Sequence, residues 1–203
     1  MPREQKFKQQ HMRTRIAAAA ARIMAEDGIE DFATAKRKAA RQVGTGDTQS
    51  LPTNDEIEAE LRMYQSLYQG EEQRERVRFL RGQALAAMEQ LADFKPYLTG
   101  PVLKGTAGRY ADIDLQVFAD SGKDLEIFLL NRNIPYQTSE LRHYSGNQER
   151  AVSVLSMDWE GTPVRVAVYW PDDEHRSVKT SPLGRPLERA GLDAVRTLVA
   201  SSE

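Results

Sequence analysis

Residues 100–118 read GPVLKGTAGRYADIDLQVF. The second half, DIDLQVF over 112–118, alternates strictly: Asp112, Asp114 and Gln116 fall on one side of an extended chain, Ile113, Leu115 and Val117 on the other. That pattern is a half-buried strand opening with two carboxylates. Ahead of it, Val102-Leu103 follows Gly100-Pro101 and reads as a short apolar strand ending in Lys104, with Gly105, Thr106 and Gly108 in the turn between. Glycines let backbone N–H groups come close to a phosphate, and successive N–H groups in a turn form an anion nest. Lys104 and Arg109 add positive charge. Asp112 and Asp114, roughly 6–7 Å apart between Cα atoms, can converge on one divalent cation or bridge a pair of them.

Outward from this stretch the chain changes character near Pro96. On the C-terminal side, GKDLEIFLLNR at 122–132 predicts a compact helix. AVSVLSMDW at 151–159 and VRVAVYW at 164–170 are β-branched runs joined by Glu160-Gly161-Thr162-Pro163, a hairpin. A final helix is expected over about 186–200, with Arg185 and Arg189 near its start. Residues 96–203 therefore predict an α+β core, a small mixed sheet with helices. Trp159 and Trp170 fall in or beside strands and read as core or rim.

Before Pro96 everything reads as helix. MRTRIAAAAARIMAE at 12–26 has apolar residues at three- and four-residue spacing and ends at Asp27-Gly28. A second helix, marked by Phe32, Ala35, Ala39 and Val43, carries Lys36, Arg37, Lys38 and Arg41 on its outer face. TGDTQSLP at 45–52 is a loop. Thr53 and Glu56 form a capping-box pattern ahead of a third helix. A fourth runs from about Glu71 to Phe94, its Arg74, Arg76, Arg78 and Arg81 interleaved with Glu71, Glu72 and Glu75 as a salt-bridged face. Residues 1–95 are thus an all-helical N-terminal extension.

Composition narrows the chemistry. Of 203 residues, 40% are apolar and 29% charged, which allows a buried core. The absence of cysteine excludes disulfides, iron–sulfur clusters, thiolate zinc and a cysteine nucleophile. The three histidines, at 11, 143 and 175, have no metal-ligand spacing. No apolar run approaches the ~20 residues of a membrane span, so no membrane partner and a cytoplasmic protein are expected. The net charge of −2 hides an asymmetry: residues 1–50 hold ten Lys and Arg against six Asp and Glu. Such a basic arm favours anionic partners where it is not a solvated helix face.

The order short strand, G-T turn, D-I-D-L strand, helix and late hairpin resembles the minimal nucleotidyltransferase domain of the DNA polymerase β-like superfamily, over roughly residues 77–170. The signature of that family is an apolar residue, then G-S or G-G, then D-x-D opening the next strand, with a third carboxylate on a later strand. The resemblance implies that Gly105-Thr106 stands for G-S and grips the β- and γ-phosphates of a nucleoside triphosphate. It also implies that Asp112 and Asp114 bind Mg²⁺ or Mn²⁺ as the catalytic pair, and that a nucleotide passes to an acceptor such as RNA or a protein.

This sequence departs from the pattern in three places. Thr replaces Ser at 106. Only five residues separate Thr106 from Asp112. At the third carboxylate, the strand V-R-V-A-V-Y-W presents Arg165, leaving Asp158 and Glu160 as the nearby substitutes. If its strand lies beside D-I-D, Arg165 projects toward Asp112 and Asp114, competing with the metal for them.

Three functions follow: a Mg²⁺-dependent nucleotidyltransferase; a catalytically degenerate relative that binds a nucleotide or RNA; and, from the resemblance of residues 19–44 to the opening of a TetR-type domain, a DNA-binding protein. The recognition helix of the last is absent from TGDTQSLP.

Overall fold

The computed structural model describes residues 2–44, 51–68, 70–145, 148–176, 178–179 and 186–201. The loop expected at 45–52 lies mostly outside the described residues, and Arg185 wholly so. Two compact units form: residues 1–76 with 106–111, and residues 77–105 with 112–203.

The first unit is helical. It comprises α1 (Pro2–Asp27), α2 (Phe32–Val43), α3 (Asn54–Tyr68) and the start of α4 (Gly70–Gln90). Ile16, Ala20, Ile23 and Met24 of α1 are buried with Ala35 and Ala39 of α2 and Ile57 and Leu61 of α3. The small alanines let the helices approach closely, and the spacing seen in the sequence becomes one shared apolar seam. Asp31 caps α2, its carboxylate accepting from the N–H groups of Ala33 and Thr34, and Gly44 closes it at φ +77°. The expected capping box opens α3: the Glu56 carboxylate accepts from Thr53 N–H at 2.6 Å, and Glu56 N–H donates to Thr53 Oγ1 at 3.3 Å. α1 begins ten residues earlier than the periodicity predicted. Residues 2–11 add helical length but little apolar surface, so periodicity could not find them.

The second unit is α+β, as the sequence predicts. Seven strands form one open mixed sheet: β1 (Tyr97–Thr99), β2 (Ile113–Phe118), β3 (Tyr136–Ser145), β4 (Gln148–Trp159), β5 (Thr162–Tyr169), β6 (Val178–Lys179) and β7 (Arg189–Gly191). Their order is β6-β3-β4-β5-β2-β1-β7. β2 and β5 run parallel, and the other described pairs are antiparallel. On one sheet face Ile113, Leu115, Val117, Val164, Val166 and Leu155 are buried. Leu80, Ala84 and Met88 of α4 and Leu125 and Leu129 of α6 (Lys123–Asn131) are buried as well. The other face carries a smaller cluster, Val152, Val154, Ala167, Tyr169 and Val178.

The structure corrects three local readings. Residues Gly100–Lys104 form a short helix, α5, and the strand lies earlier, at Tyr97–Thr99. Pro101 sits in the first turn of α5, where its fixed φ suits a helix and its missing N–H costs nothing. β3 lies in a stretch with no strand signal, because Gln137–Arg142 are exposed and have no apolar alternation to betray them. The last helix, α7 (Leu192–Ala200), starts late because Arg189–Gly191 pair with β1. No helix among the described residues is long and apolar enough to cross a membrane.

Candidate carboxylate–arginine site

Parallel pairing of β2 and β5 sets Ile113 against Val164 and Asp114 against Arg165. Partnered positions point to the same face, so the alternation that buries Ile113 and Val164 turns Asp114 and Arg165 together toward the opposite side. The guanidinium of Arg165 spans both carboxylates. Its Nε and Nη2 lie 2.9 and 2.7 Å from Asp114 Oδ1, and Nε lies 3.3 Å from Asp112 Oδ2. Burial raises the Asp114 pKa; the Arg165 charge and hydrogen bond pull it down without cancelling that rise, and Asp112 adds to it. Farther along the same face stands Tyr169, buried, its hydroxyl sharing a hydrogen bond with His143 Nδ1. Burial raises the Tyr169 pKa, and the charges of Asp114 and Asp173 add to the shift.

A residue the sequence reading passed over belongs to this site. Gly100 leaves β1 at φ +71°, and a Cβ there would lie 2.7 Å from Asp114 Oδ2. Only glycine meets both conditions. Gly100, followed by Pro101, therefore occupies the strand-to-helix junction ahead of the D-x-D strand. Pro101 offers neither a hydroxyl nor an N–H to a phosphate. Its signal in the sequence is the Gly100-Pro101 dipeptide, which predicts the entry to a strand ahead of Val102-Leu103.

The residues read as a phosphate grip have other local roles. Lys104 is the last residue of α5, and Gly105 caps that helix at φ +77°, its N–H directed to the Pro101 and Val102 carbonyls. Arg81, expected on a salt-bridged face, donates to the carbonyls of Val102 at 3.1 Å and Leu103 at 2.9 Å. It thereby satisfies the end of α5. Thr106, Gly108 and Arg109 belong to the helical unit. There Thr106 is buried, its carbonyl accepting from Gln65 Nε2 at 3.3 Å. The Ala107 carbonyl accepts from Gln73 Nε2 at 2.7 Å, the Arg109 carbonyl accepts from Arg76, and the exposed Arg109 side chain lies 3.6 Å from Glu72.

Asp158, a candidate third carboxylate, accepts from Gly161 N–H at 2.8 Å and closes the β4–β5 hairpin, in which Glu160 adopts φ +49°. Among the described residues, no group of three or more His, Cys, Asp or Glu side chains is arranged to hold a metal ion. The arrangement does not fit a resident divalent cation: a guanidinium is seated between the two carboxylates that would be its ligands. In the basic stretch of α2, Lys36 donates to Asn54 at 2.7 Å, Lys38 lies 3.5 Å from Asp27, and Arg37 donates to Thr34 at 2.9 Å.

No family model, curated protein or solved structure matches this chain.

Proposed function

We propose that this protein is a catalytically degenerate nucleotidyltransferase-like protein that binds a nucleotide without transferring it. The Arg165 guanidinium bonded to both Asp112 and Asp114 carries this reading. Nucleotidyl transfer in the resembled family needs metal ions on the D-x-D pair to activate the acceptor oxygen and to spread charge on the phosphate. Here a fixed positive charge that cannot be lost by deprotonation takes that position. It balances part of the carboxylate charge but has no open coordination site for an acceptor oxygen. An active transferase would require Arg165 to vacate both carboxylates.

The test pairs a binding measurement with a turnover measurement. ATP, GTP, CTP and UTP are each added with Mg²⁺, with Mn²⁺ and with EDTA, and Tm is followed; α-labelled triphosphates then report transfer to the protein or to added RNA. A rise in Tm that persists in EDTA, with no label transferred, is the expected result. Metal-dependent transfer would establish an active enzyme instead, and a flat Tm with all four nucleotides would remove nucleotide binding.

A further inference from the structure

Gly122, the N-cap of α6, lies against the core face of the sheet: a Cβ there would sit 3.8 Å from Val168 and 4.0 Å from Leu155. Beside it, residues of β3, β4 and β5 line a cleft. The row Glu140–Ser153–Val168, set by the antiparallel pairing on both sides of β4, forms an open floor. The turn Ala119–Gly122 walls one side, and Trp170 stands at the end of β5. The cleft is open to solvent and has a volume of about 520 Å³, within the range of small-molecule sites. It lies where the parallel strands β2 and β5 end, a position outside the carboxyl ends of strands that open sheets commonly use for ligands. Asp114 and Arg165 lie on the other face, as strand parity requires, because Arg165 and Val168 are three residues apart on β5.

The lining selects a ligand class. Asp120 and Glu140 bring two carboxylates, both on exposed residues and neither in an ion pair among the described residues. Thr138, Ser121 and Ser153 bring hydroxyls, and Trp170, 52% exposed, brings an aromatic ring. None of the described lining residues is Lys, Arg or His. Arg142, in the adjoining cleft that shares Glu140, is paired with Glu149 at 3.2 Å. A phosphate or carboxylate ligand would meet uncompensated like charge here, whereas an ammonium group is attracted to both carboxylates. A cation attached to a carbon body satisfies both acids and presents apolar or ammonium surface to the indole.

We infer that this cavity is a binding site for a small organic amine, independent of the nucleotide reading of the Asp112–Asp114–Arg165 site. The probes are choline and 1,4-diaminobutane, with AMP and methyl glucoside as the anionic and neutral comparators. Binding to the full chain is read by calorimetry and by shifts of backbone amide resonances at Ala119–Gly122. One of the amines is expected to bind saturably in the micromolar-to-millimolar range, more weakly at high salt. Glu140→Gln and Asp120→Asn should each reduce affinity roughly tenfold, and Trp170→Ala several-fold. All three side chains are exposed, and an unchanged far-UV spectrum and Tm will show that each variant is folded. Absence of saturable amine binding overturns the inference. So does binding indifferent to all three variants, or equal binding of AMP or the glucoside.

Discussion

Arg165 and Asp114 occupy partnered positions on the parallel strands β5 and β2, with the guanidinium Nη2 2.7 Å from Asp114 Oδ1. Asp114 is buried enough that its carboxyl is raised in pKa even beside this cation. The pair therefore reduces the cost of a half-buried carboxylate rather than adding a large net stabilisation.

Arg165→Ala tests that accounting through pH. A carboxyl with a raised folded pKa favours folding at acid pH, and the advantage is lost as pH rises through the folded value. Removing Arg165 raises the Asp114 pKa further. The variant is expected to lose about 1–2 kcal/mol at neutral pH, below the ~3–5 kcal/mol of a fully buried broken pair because water screens both partly exposed side chains. Below the ordinary Asp value of 3.8 the difference from wild type should shrink, since the carboxyl is then protonated in both states. Urea denaturation at neutral and acid pH measures this; an equal loss at both would mean Arg165 acts through packing alone.

Arg165→Asp converts the ion-paired centre into three neighbouring acids. Mn²⁺ is expected to raise the Tm of this variant by several degrees and leave wild type unchanged. The gain should disappear when Asp112→Asn and Asp114→Asn are added. A wild-type response to Mn²⁺ as large as the variant's would show that Arg165 does not exclude the ion.

Gly100→Ala places a Cβ 2.7 Å from Asp114 Oδ2 at φ +71°. The expected loss is about 1–3 kcal/mol. Part of it should be recovered in the Asp114→Ala background, where the crowded oxygen is gone, so the two substitutions should be non-additive in denaturation measurements. Strict additivity would locate the whole cost in the backbone.

His143 responds to pH in the opposite direction from Asp114. Burial lowers its pKa from the ordinary 6.5. A histidine held neutral in the fold contributes stability above the unfolded value and loses it as pH falls from there through the lowered folded value. Stability should therefore decline as pH is lowered from 6.5, and His143→Gln should flatten that slope. A slope identical in the variant would assign the decline to other groups.

Within the helical unit, Gln65 and Gln73 hold the carbonyls of Thr106 and Ala107. Gln65→Ala with Gln73→Ala is expected to speed tryptic cleavage after Arg109 roughly tenfold by freeing these backbone contacts. Cleavage at an unchanged rate would mean the segment is retained by other contacts.

Local chemistry determined much of this molecule. The Asp31 and Thr53–Glu56 caps, the alanine-rich α1, the alternating β2 and the β4–β5 hairpin each follow from interactions within a few residues, so the α+β class could be read from them. Strand parity alone fixed that Arg165, Ala167 and Tyr169 share a face. Tertiary structure decided the rest. Val102-Leu103 suits a strand or a helical turn; the choice of helix depends on Tyr97–Leu98–Thr99 pairing with β2 and on Arg81 capping α5. β3 has no apolar period and becomes a strand because β4 offers it a ladder. The meeting of Arg165 with Asp112 and Asp114 required β5 to lie parallel to β2 in one particular register. A one-residue slip would have sent the guanidinium into the core, and that register is selected by the burial of Val164 and Val166 over contacts distant in sequence.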